Sequence, residues 1–309
     1  MTTRPQLLFL VCAFALLMLL PLTGSRFLLE LTIQILIFSL FALSLNVLIG
    51  HMGSVSFGHA AFLALGGYTC AYLQTRLGLP LAVSLLGAIL VSGVAALVIG
   101  WFCVRLNQIY FSMLTLAFSM LIWAVAMKWK AVTGGDDGFV GVTVPGAIQS
   151  PQTFFWFAWG VLAISTAALW TLSKSTMGRA FVAIRENPVR ASFIGINVRR
   201  MQLIAFVIAG VFAGIAGAML ALYMRGMFPQ SAFWTQSGDV MIMVLLGGVH
   251  SFVGPILGAA TLYLLESTIR QYTEYGSLVL GVILLVIVLV MPEGLIGAFK
   301  VLWRKFKNH

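Results

Sequence analysis

Ten apolar runs, each close to the length of a bilayer-spanning helix, constrain this 309-residue chain more than any other feature of its sequence. At 1.5 Å per residue, about 20 helical residues cross the roughly 30 Å hydrocarbon layer of a membrane. The runs cover approximately residues 7–22, 27–49, 57–73, 81–104, 110–127, 153–172, 201–224, 233–249, 252–269 and 276–291. They predict an all-α integral membrane protein with about ten transmembrane helices.

The composition excludes the soluble classes of protein. Hydrophobic residues make up 61% of the chain and charged residues only 8%, whereas a soluble domain carries roughly a quarter charged residues. The net charge of +10 does not indicate a nucleic-acid partner, because the basic residues lie in short segments between apolar runs. A soluble enzyme, a nucleic-acid-binding module and a disordered chain are therefore ruled out.

The distribution of Lys and Arg predicts the orientation in the membrane. The polar segment 173–200 holds six basic residues against the single acid Glu186, and the tail 298–309 holds four. By the positive-inside rule both segments are cytoplasmic, so an even number of spans must separate them. This favours counting the run 233–249, whose uncharged part is short, as a span and not as a re-entrant loop. Counting back from the segment 173–200, with 7–22 taken as a retained first span and not a cleaved signal peptide, also places the N-terminus in the cytoplasm.

We therefore treat residues 1–309 as a single transmembrane domain that contains one long cytoplasmic segment, 173–200. Within it, Ala180, Ala183 and Ile184 recur at helical spacing, and Pro188 ends that turn before a second short helix. The pattern predicts a short amphipathic helix pair at the cytoplasmic surface. From the residues alone, the pair either lies on anionic lipid headgroups or inserts into a groove of a cytoplasmic partner.

Two glycine-rich and serine-rich breaks interrupt the apolar pattern, GHMGSVSFG at 50–58 and GGVHSFVGP at 247–255. Non-helical backbone at membrane depth is tolerated where it is buried in protein or lines a watery cavity. The breaks are either tight turns between helices or the border of a translocation path, and Asn46 beside the first break is also a candidate for an interhelical hydrogen bond. The path candidates are Asn46, Gly53, Ser56, Gly58, His59, Gly247, Gly248 and Ser251.

No arrangement of residues predicts bond chemistry. The chain has no phosphate-binding GxxxxGK[ST] motif, no HExxH motif and no defensible Ser/His/Asp set. His51, His59 and His250 do not share ligand spacing with a carboxylate on one helix face, so we predict no metal site. We expect a non-enzyme that binds no cofactor, and if ATP powers it, the ATPase is another chain.

Several ordered motifs resemble one transporter family over nearly the whole chain from about Leu43. They are LNVLIGHMGSVSFGHAAFLALGGY at 45–68, YFSMLTLAF at 110–118, TGGDDGF at 133–139, GRAFVAIRENPVRASFIGINVRRMQLIAFVIAGVFAGIAGAML at 178–220, VLLGGVHSFVGPILGAA at 244–260 and MPEGLIG at 291–297. Together they are similar to the permease subunits of branched-chain amino acid ABC importers, of the LivM type.

The resemblance implies a polytopic helical permease of the bacterial inner membrane. Its implied partners are a second homologous permease of the LivH type, two ATP-binding cassette subunits that hold the ATP, and a periplasmic substrate-binding protein. The segment 178–195 is similar to the family's coupling loop, which makes the ATPases the favoured partner of the helix pair. Carried over by position, the interface candidates are Arg179, Ala183, Arg185, Glu186, Asn187 and Gly195.

The resemblance leaves the substrate open, since related permeases carry urea, amides or aromatic acids as well as branched-chain amino acids. A different class, the ion-coupled secondary transporter that works alone, would be expected to carry buried acidic residues near mid-membrane. The sequence offers none convincingly, because its acids lie mostly in connecting segments or near the ends of the runs.

Overall fold

A computed structural model describes residues 25–272, 275–290 and 294–297, which are helical apart from their connections and one pair of two-residue strands. The helices are α1 Arg26–Asn46, α2 His59–Thr75, α3 Leu81–Cys103, α4 Gln108–Lys128, α5 Lys130–Thr133, α6 Pro151–Lys174, α7 Thr176–Glu186, α8 Pro188–Phe193, α9 Val198–Met224, α10 Trp234–Gly247, α11 Gly254–Tyr272 and α12 Gly276–Val290. Nine of the ten apolar runs thus coincide with helices. The run 7–22 and the basic tail 298–309 lie outside the described residues.

Five of the described helices are long and apolar enough to cross a membrane by length and composition. They are α1 with its continuation to Met52, α3, α4, α6 and α9. By contrast α10 has only 14 residues, about 21 Å of helix against a hydrocarbon layer of roughly 30 Å. A multi-pass helical membrane protein is therefore confirmed, whereas ten crossings with both termini in the cytoplasm stay a prediction.

Helix α9 packs closely against α2 and α3 because small residues line their contacts. A Cβ atom added at Gly217 would collide with the backbone carbonyl of Leu63, and one added at Gly66 would collide with the backbone of Gly214. Backbones that approach this closely leave no room for larger side chains. The close approach of α9 to α2 therefore depends on these glycines.

Helix α1 is the central element, buried along most of its length between α6, α9, α10 and α11. It does not stop at Asn46 but continues as a six-residue π-helix, Val47–Met52, and ends at Gly53 in the left-handed conformation (φ 76°). A π-helical turn inside a longer helix is rare and is frequently found at functional sites. It brings α1 directly into the first glycine-rich break.

At the C-terminal end of α9, a short antiparallel pair of strands anchors the chain. Strand β1, Phe139–Val140, pairs with β2, Gly226–Met227, with Phe139 opposite Met227. The segment that follows β1 is held to the same place, because the amides of Gly141 and Val142 both donate to the carbonyl of Arg225, at 3.1 and 3.0 Å. The loop between α4 and α6 is thereby anchored to the C-terminal end of α9.

The helix pair predicted in 173–200 is present as α7 and α8, but the junction differs from the prediction in one detail. Pro188 begins α8 and does not end the preceding turn, and the residue that interrupts the helix is Asn187, whose backbone is extended. A residue before proline is pushed out of the helical region by the proline ring. The Asn187 side chain then caps α8 by accepting a hydrogen bond from the Arg190 amide at 2.9 Å.

Candidate functional site

The two glycine-rich breaks, which are distant in sequence, meet at one end of α1. The Asn46 side-chain amide donates to the carbonyl of Ser251 at 3.4 Å. Gly50 packs so closely against the Val249 carbonyl that a Cβ atom there would clash. The breaks therefore form a single structural unit.

The first break is shorter than the sequence indicates. Residues 50–52 were expected to be non-helical, but they belong to the π-helix that extends α1, and only residues 53–58 lie outside helices. The reason is that Gly50 faces Asn46 and the second break, a crowded position that a wider helical turn accommodates. In the second break, residues 248–253 are non-helical, since Gly247 ends α10 and Gly254 begins α11.

Arg185 joins the helix pair to both breaks. Its guanidinium donates to the carbonyl of Gly50 and lies 3.3 Å from Nδ1 of His250. Its aliphatic stem packs on Gly53, where a Cβ atom would come within 2.6 Å of Arg185 Cγ. A planar guanidinium with several donors is well suited to hold two acceptors on different segments at once.

The remaining interface candidates lie on the outer side of the pair or at its turns. Arg179 is exposed and donates to the carbonyl of Lys174 at 3.1 Å, Glu186 is exposed, and Ala183 is half-buried. Asn187 serves as the cap of α8, and Gly195 takes a left-handed conformation (φ 87°) with no atom near its Cβ position. Unlike the exposed Arg179 and Glu186, Arg185 is half-buried and contacts both breaks.

The most exposed apolar side chains of the helix pair and the turn after it were not among the candidates. Val189, Phe193 and Ile194 are 62%, 85% and 71% exposed, whereas Ala191 on the opposite side of α8 is buried. Arg190 lies between them and is exposed. The sequence indicates a helix here, but six residues make too short a pattern to tell its buried face from its free one.

His59 and its neighbours form a buried polar group beside the first break. Ser44 Oγ lies 2.8 Å from His59 Nε2 and 2.7 Å from the carbonyl of Phe41, whose ring stacks on the imidazole at 5.2 Å. Because the single hydroxyl proton of Ser44 is directed to that carbonyl, Ser44 accepts from Nε2–H. The other ring nitrogen, Nδ1, is then an acceptor and is buried without a partner in the described part of the chain.

Four of the eight buried side-chain atoms that lack a hydrogen-bond partner in the described residues belong to the predicted path. Within the described ranges, Asn46 Oδ1, Ser56 Oγ, His59 Nδ1 and Ser251 Oγ are all buried and lack a hydrogen-bond partner. A buried polar group left unsatisfied costs about 1–3 kcal/mol. Buried polar atoms without a protein partner are commonly satisfied by water or by a ligand.

The glycines of the predicted path have backbone roles. Gly58 lies against the backbone of Thr115 in α4, and Gly247 against the backbone of Gly254. Gly248 has φ 110°, which side-chain-bearing residues rarely adopt. The structure thus brings Asn46, Gly247, Gly248 and Ser251 together at the second break. Gly58 instead lies against α4 and His59 against α1, and Ser56 is buried within the first break. Among the described side chains, no three His, Cys, Asp or Glu residues converge as a metal site requires.

Comparison with known proteins connects these features to transport. Residues 27–289 match the family model described as branched-chain amino acid transport system, permease component. The chain is 28% identical to the high-affinity branched-chain amino acid transport system permease protein LivM of Escherichia coli K12, over 96% of this chain and 76% of that protein. It is 26% identical to the corresponding LivH of Salmonella typhimurium, over 84% and 91%. It is also 29% identical to the autoinducer 2 import system permease protein LsrC of Klebsiella pneumoniae, over 54% and 48%. No solved structure matches.

Proposed function

Because the chain belongs to the family of branched-chain amino acid transport system permeases, we propose that it is a pore-forming subunit of an ATP-driven importer of branched-chain amino acids. Its proposed partners are a second permease of the LivH type, two ATP-binding cassette subunits that bind and hydrolyse ATP, and a periplasmic substrate-binding protein. Relatives named for both LivM and LivH support a paired permease. This chain would perform no bond chemistry and bind no cofactor.

The proposed location is the bacterial inner membrane, with about ten spans and with both termini and the helix pair α7–α8 in the cytoplasm. Six basic residues in 173–200 support this orientation. The length of α9 supports it too, since its 27 residues span about 40 Å between α8 and the β1–β2 ladder. The two ends of α9 then lie on opposite sides of the bilayer.

The observation that carries the proposal is the bridge made by Arg185. A residue of α7 holds the ends of two intramembrane segments, through Gly50 and His250. A displacement of the helix pair is therefore transmitted directly to α1 and to the turn between α10 and α11. This is the connection that a transporter needs if force is applied at its cytoplasmic surface.

The exposed face of α8 is where we propose that the ATPase docks. Val189, Phe193 and Ile194 present apolar surface around Arg190, and a short helix with such a face fits a groove on another protein. A helix that lay on lipid headgroups would also bury this face. The inward-directed Arg185 favours the coupling role, because a lipid-bound helix has no need of a link to two intramembrane breaks.

The proposed mechanism is alternating access. ATP binding draws the two ATPases together, the attached helix pairs of both permeases follow, and the path between the permeases opens to the other side. The different affinities of the ATPases for ATP in the two conformations shift the equilibrium between them, and hydrolysis of ATP with release of its products returns the transporter to the starting conformation. The unpartnered polar atoms of Asn46, Ser56, His59 and Ser251 would then meet water or substrate in the conformation in which the path is open.

Reconstitution tests this function directly. Proteoliposomes containing the complete transporter, with the binding protein outside and ATP inside, should accumulate radiolabelled leucine, and replacing ATP by a non-hydrolysable analogue should abolish the uptake. The matched control omits only this chain. Leucine accumulation without ATP but dependent on a proton or sodium gradient would instead assign the protein to the ion-coupled transporters.

A further inference from the structure

A cavity of about 500 Å³ opens at the end of α1 opposite the breaks. It is lined by Glu30 and Gln34 of α1, by the segment that leads into α6, and by the last turn of α9 with Arg225. Glu30 and Gly50 are 20 residues apart, about 30 Å along the helix. In the proposed orientation this cavity faces the periplasm, the side from which an imported molecule arrives.

The lining has two charged residues of opposite sign on different elements. Glu30 belongs to the first turns of α1, and Arg225 follows α9. Both line the cavity, and within the described ranges no ion pair joins them or engages either one. Two opposite charges that face one cavity without neutralising each other are available to a ligand that carries both signs.

The rest of the wall combines apolar side chains with a few uncharged polar ones. Ile33, Ile148, Phe154 and Phe228 contribute hydrophobic surface, and the ring of Phe154 packs against that of Tyr223 with their centroids 5.9 Å apart. Gln34 donates to the Tyr223 hydroxyl at 3.3 Å, and that hydroxyl donates to the Glu30 carbonyl at 3.4 Å. The volume falls within the range of small-molecule sites, which combine an apolar wall with a few placed polar groups.

The backbone of Arg225 supplies a second and independent observation. Arg225 has φ 52°, and among the described non-glycine residues it alone lies in the left-handed region. Its amide caps α9 by donating to the carbonyl of Ala221, and its own carbonyl accepts from Gly141 and Val142. Glycine adopts this conformation at less cost, so an arginine held there indicates a use for its side chain.

We propose that this cavity is an outward-facing binding site for a free, zwitterionic α-amino acid with an apolar side chain. The Glu30 carboxylate receives the ammonium group, the Arg225 guanidinium binds the carboxylate, and the apolar wall accommodates the side chain. This proposal rests on the proposed function and specifies it: urea and neutral amides lack the two charges, and amino acids with charged side chains would leave a charge on the apolar wall.

A protection assay on the complete reconstituted transporter tests the site without relying on transport. Gln149 lines the cavity and is exposed, so a Gln149→Cys variant, with Cys12 replaced and the buried Cys70 and Cys103 retained, reports access to it. Saturating leucine should slow its reaction with a membrane-impermeant maleimide by about five-fold or more, because a charge-assisted site occupied by ligand excludes the reagent. Isoamylamine and isocaproate, which each lack one charge, should give no protection at the same concentration.

The charge partners are tested in the same background. Glu30→Gln and Arg225→Gly should each abolish the protection and lower leucine uptake about ten-fold or more, the loss expected for one charged hydrogen-bonding group. Arg225→Gly is informative because glycine relieves the left-handed backbone, so misfolding does not explain a loss. Arg76→Gln removes a charge from the neighbouring loop, which does not line the cavity, and should retain both protection and uptake.

The outcomes separate the two proposals. If the unmodified transporter imports leucine but leucine does not slow maleimide labelling of the Gln149→Cys variant, or if Glu30→Gln and Arg225→Gly retain protection, the cavity is not the amino acid site and the proposed function stands. If the unmodified transporter imports no leucine in the presence of ATP, both proposals are wrong.

Discussion

At the scale of single residues, Arg185 has the most informative surroundings in the molecule. Its guanidinium serves two acceptors on two different segments, and its stem fills the space above Gly53. The sequence places Arg185 within the coupling segment, where an outward orientation toward a partner is the simplest expectation. Its inward orientation is decided by Gly50 and Gly53, which are distant in sequence and leave the room that a long side chain needs.

Replacing Arg185 by Gln should uncouple the transporter without dissociating it. A hydrogen bond to a charged group contributes about 1.5–3 kcal/mol, so losing the bridge should lower leucine uptake per ATP hydrolysed by about ten-fold. Arg185→Lys should retain more coupling than Arg185→Gln but less than the unmodified transporter, because a compact ammonium group replaces a planar guanidinium with several donors. The measurement is uptake and ATPase activity on the same proteoliposomes.

Arg199→Gln is the matched control, since Arg199 is exposed in the first turn of α9 and is not among the interface candidates. The Arg199→Gln variant should retain the coupling ratio of the unmodified transporter. An unchanged ratio of leucine uptake to ATP hydrolysis in Arg185→Gln would show that the contacts of Arg185 with Gly50 and His250 are not needed for coupling.

At the scale of elements, α8 is a six-residue helix whose stability within this chain depends on its junctions and not on its length. Asn187 caps its start, Ala191 is its buried contact, and Gly195 turns the chain toward α9. Isolated helices this short are not stable in water. Helix α8 is thus fixed at both ends while its apolar face is exposed, and such a helix is suited to bind in a groove of a partner.

Phe193→Ser should release the ATPase subunits from the permease. Phe193 is 85% exposed, so its replacement removes little packing within this chain, whereas truncating an apolar anchor at an interface costs about 2 kcal/mol or more. We expect at least about a ten-fold loss of co-purified ATPase, with unchanged amounts of permease in the membrane. Leu77→Ser, another exposed apolar residue in the turn between α2 and α3, should have no effect. If Phe193→Ser and Leu77→Ser recovered equal amounts of ATPase, α8 would not be part of the interface.

At the scale of the whole molecule, what the sequence predicts best is what depends on local periodicity and length. The apolar runs locate nine described helices to within a few residues, and Pro188 locates the junction of α7 and α8 to within one residue. What it could not predict depends on contacts between distant segments. The π-helical end of α1 follows from the crowding of Gly50 by Asn46 and Val249, and the cavity at Glu30 is lined by residues of α1, of α9 and of the segment before α6. No pattern within one segment carries that information.

The membrane orientation is the whole-molecule property that most needs a direct test. Asp136 precedes β1, whose partner strand follows α9, while Ser192 precedes the start of α9, so the two exposed residues lie at opposite ends of a helix about 40 Å long. In a background with Cys12 replaced, Asp136→Cys should react with an impermeant maleimide added from the periplasm, and Ser192→Cys only from the cytoplasm.

Gly160→Cys, in the middle of α6, should react from neither side, because a thiol in the hydrocarbon layer is not ionised. Thr2→Cys should react only from the cytoplasm if the chain has ten spans, and its labelling from the periplasm would require an odd number of spans between the N-terminus and the helix pair. Reaction of Asp136→Cys and Ser192→Cys from the same side would contradict the orientation on which both the coupling surface and the outward-facing cavity depend.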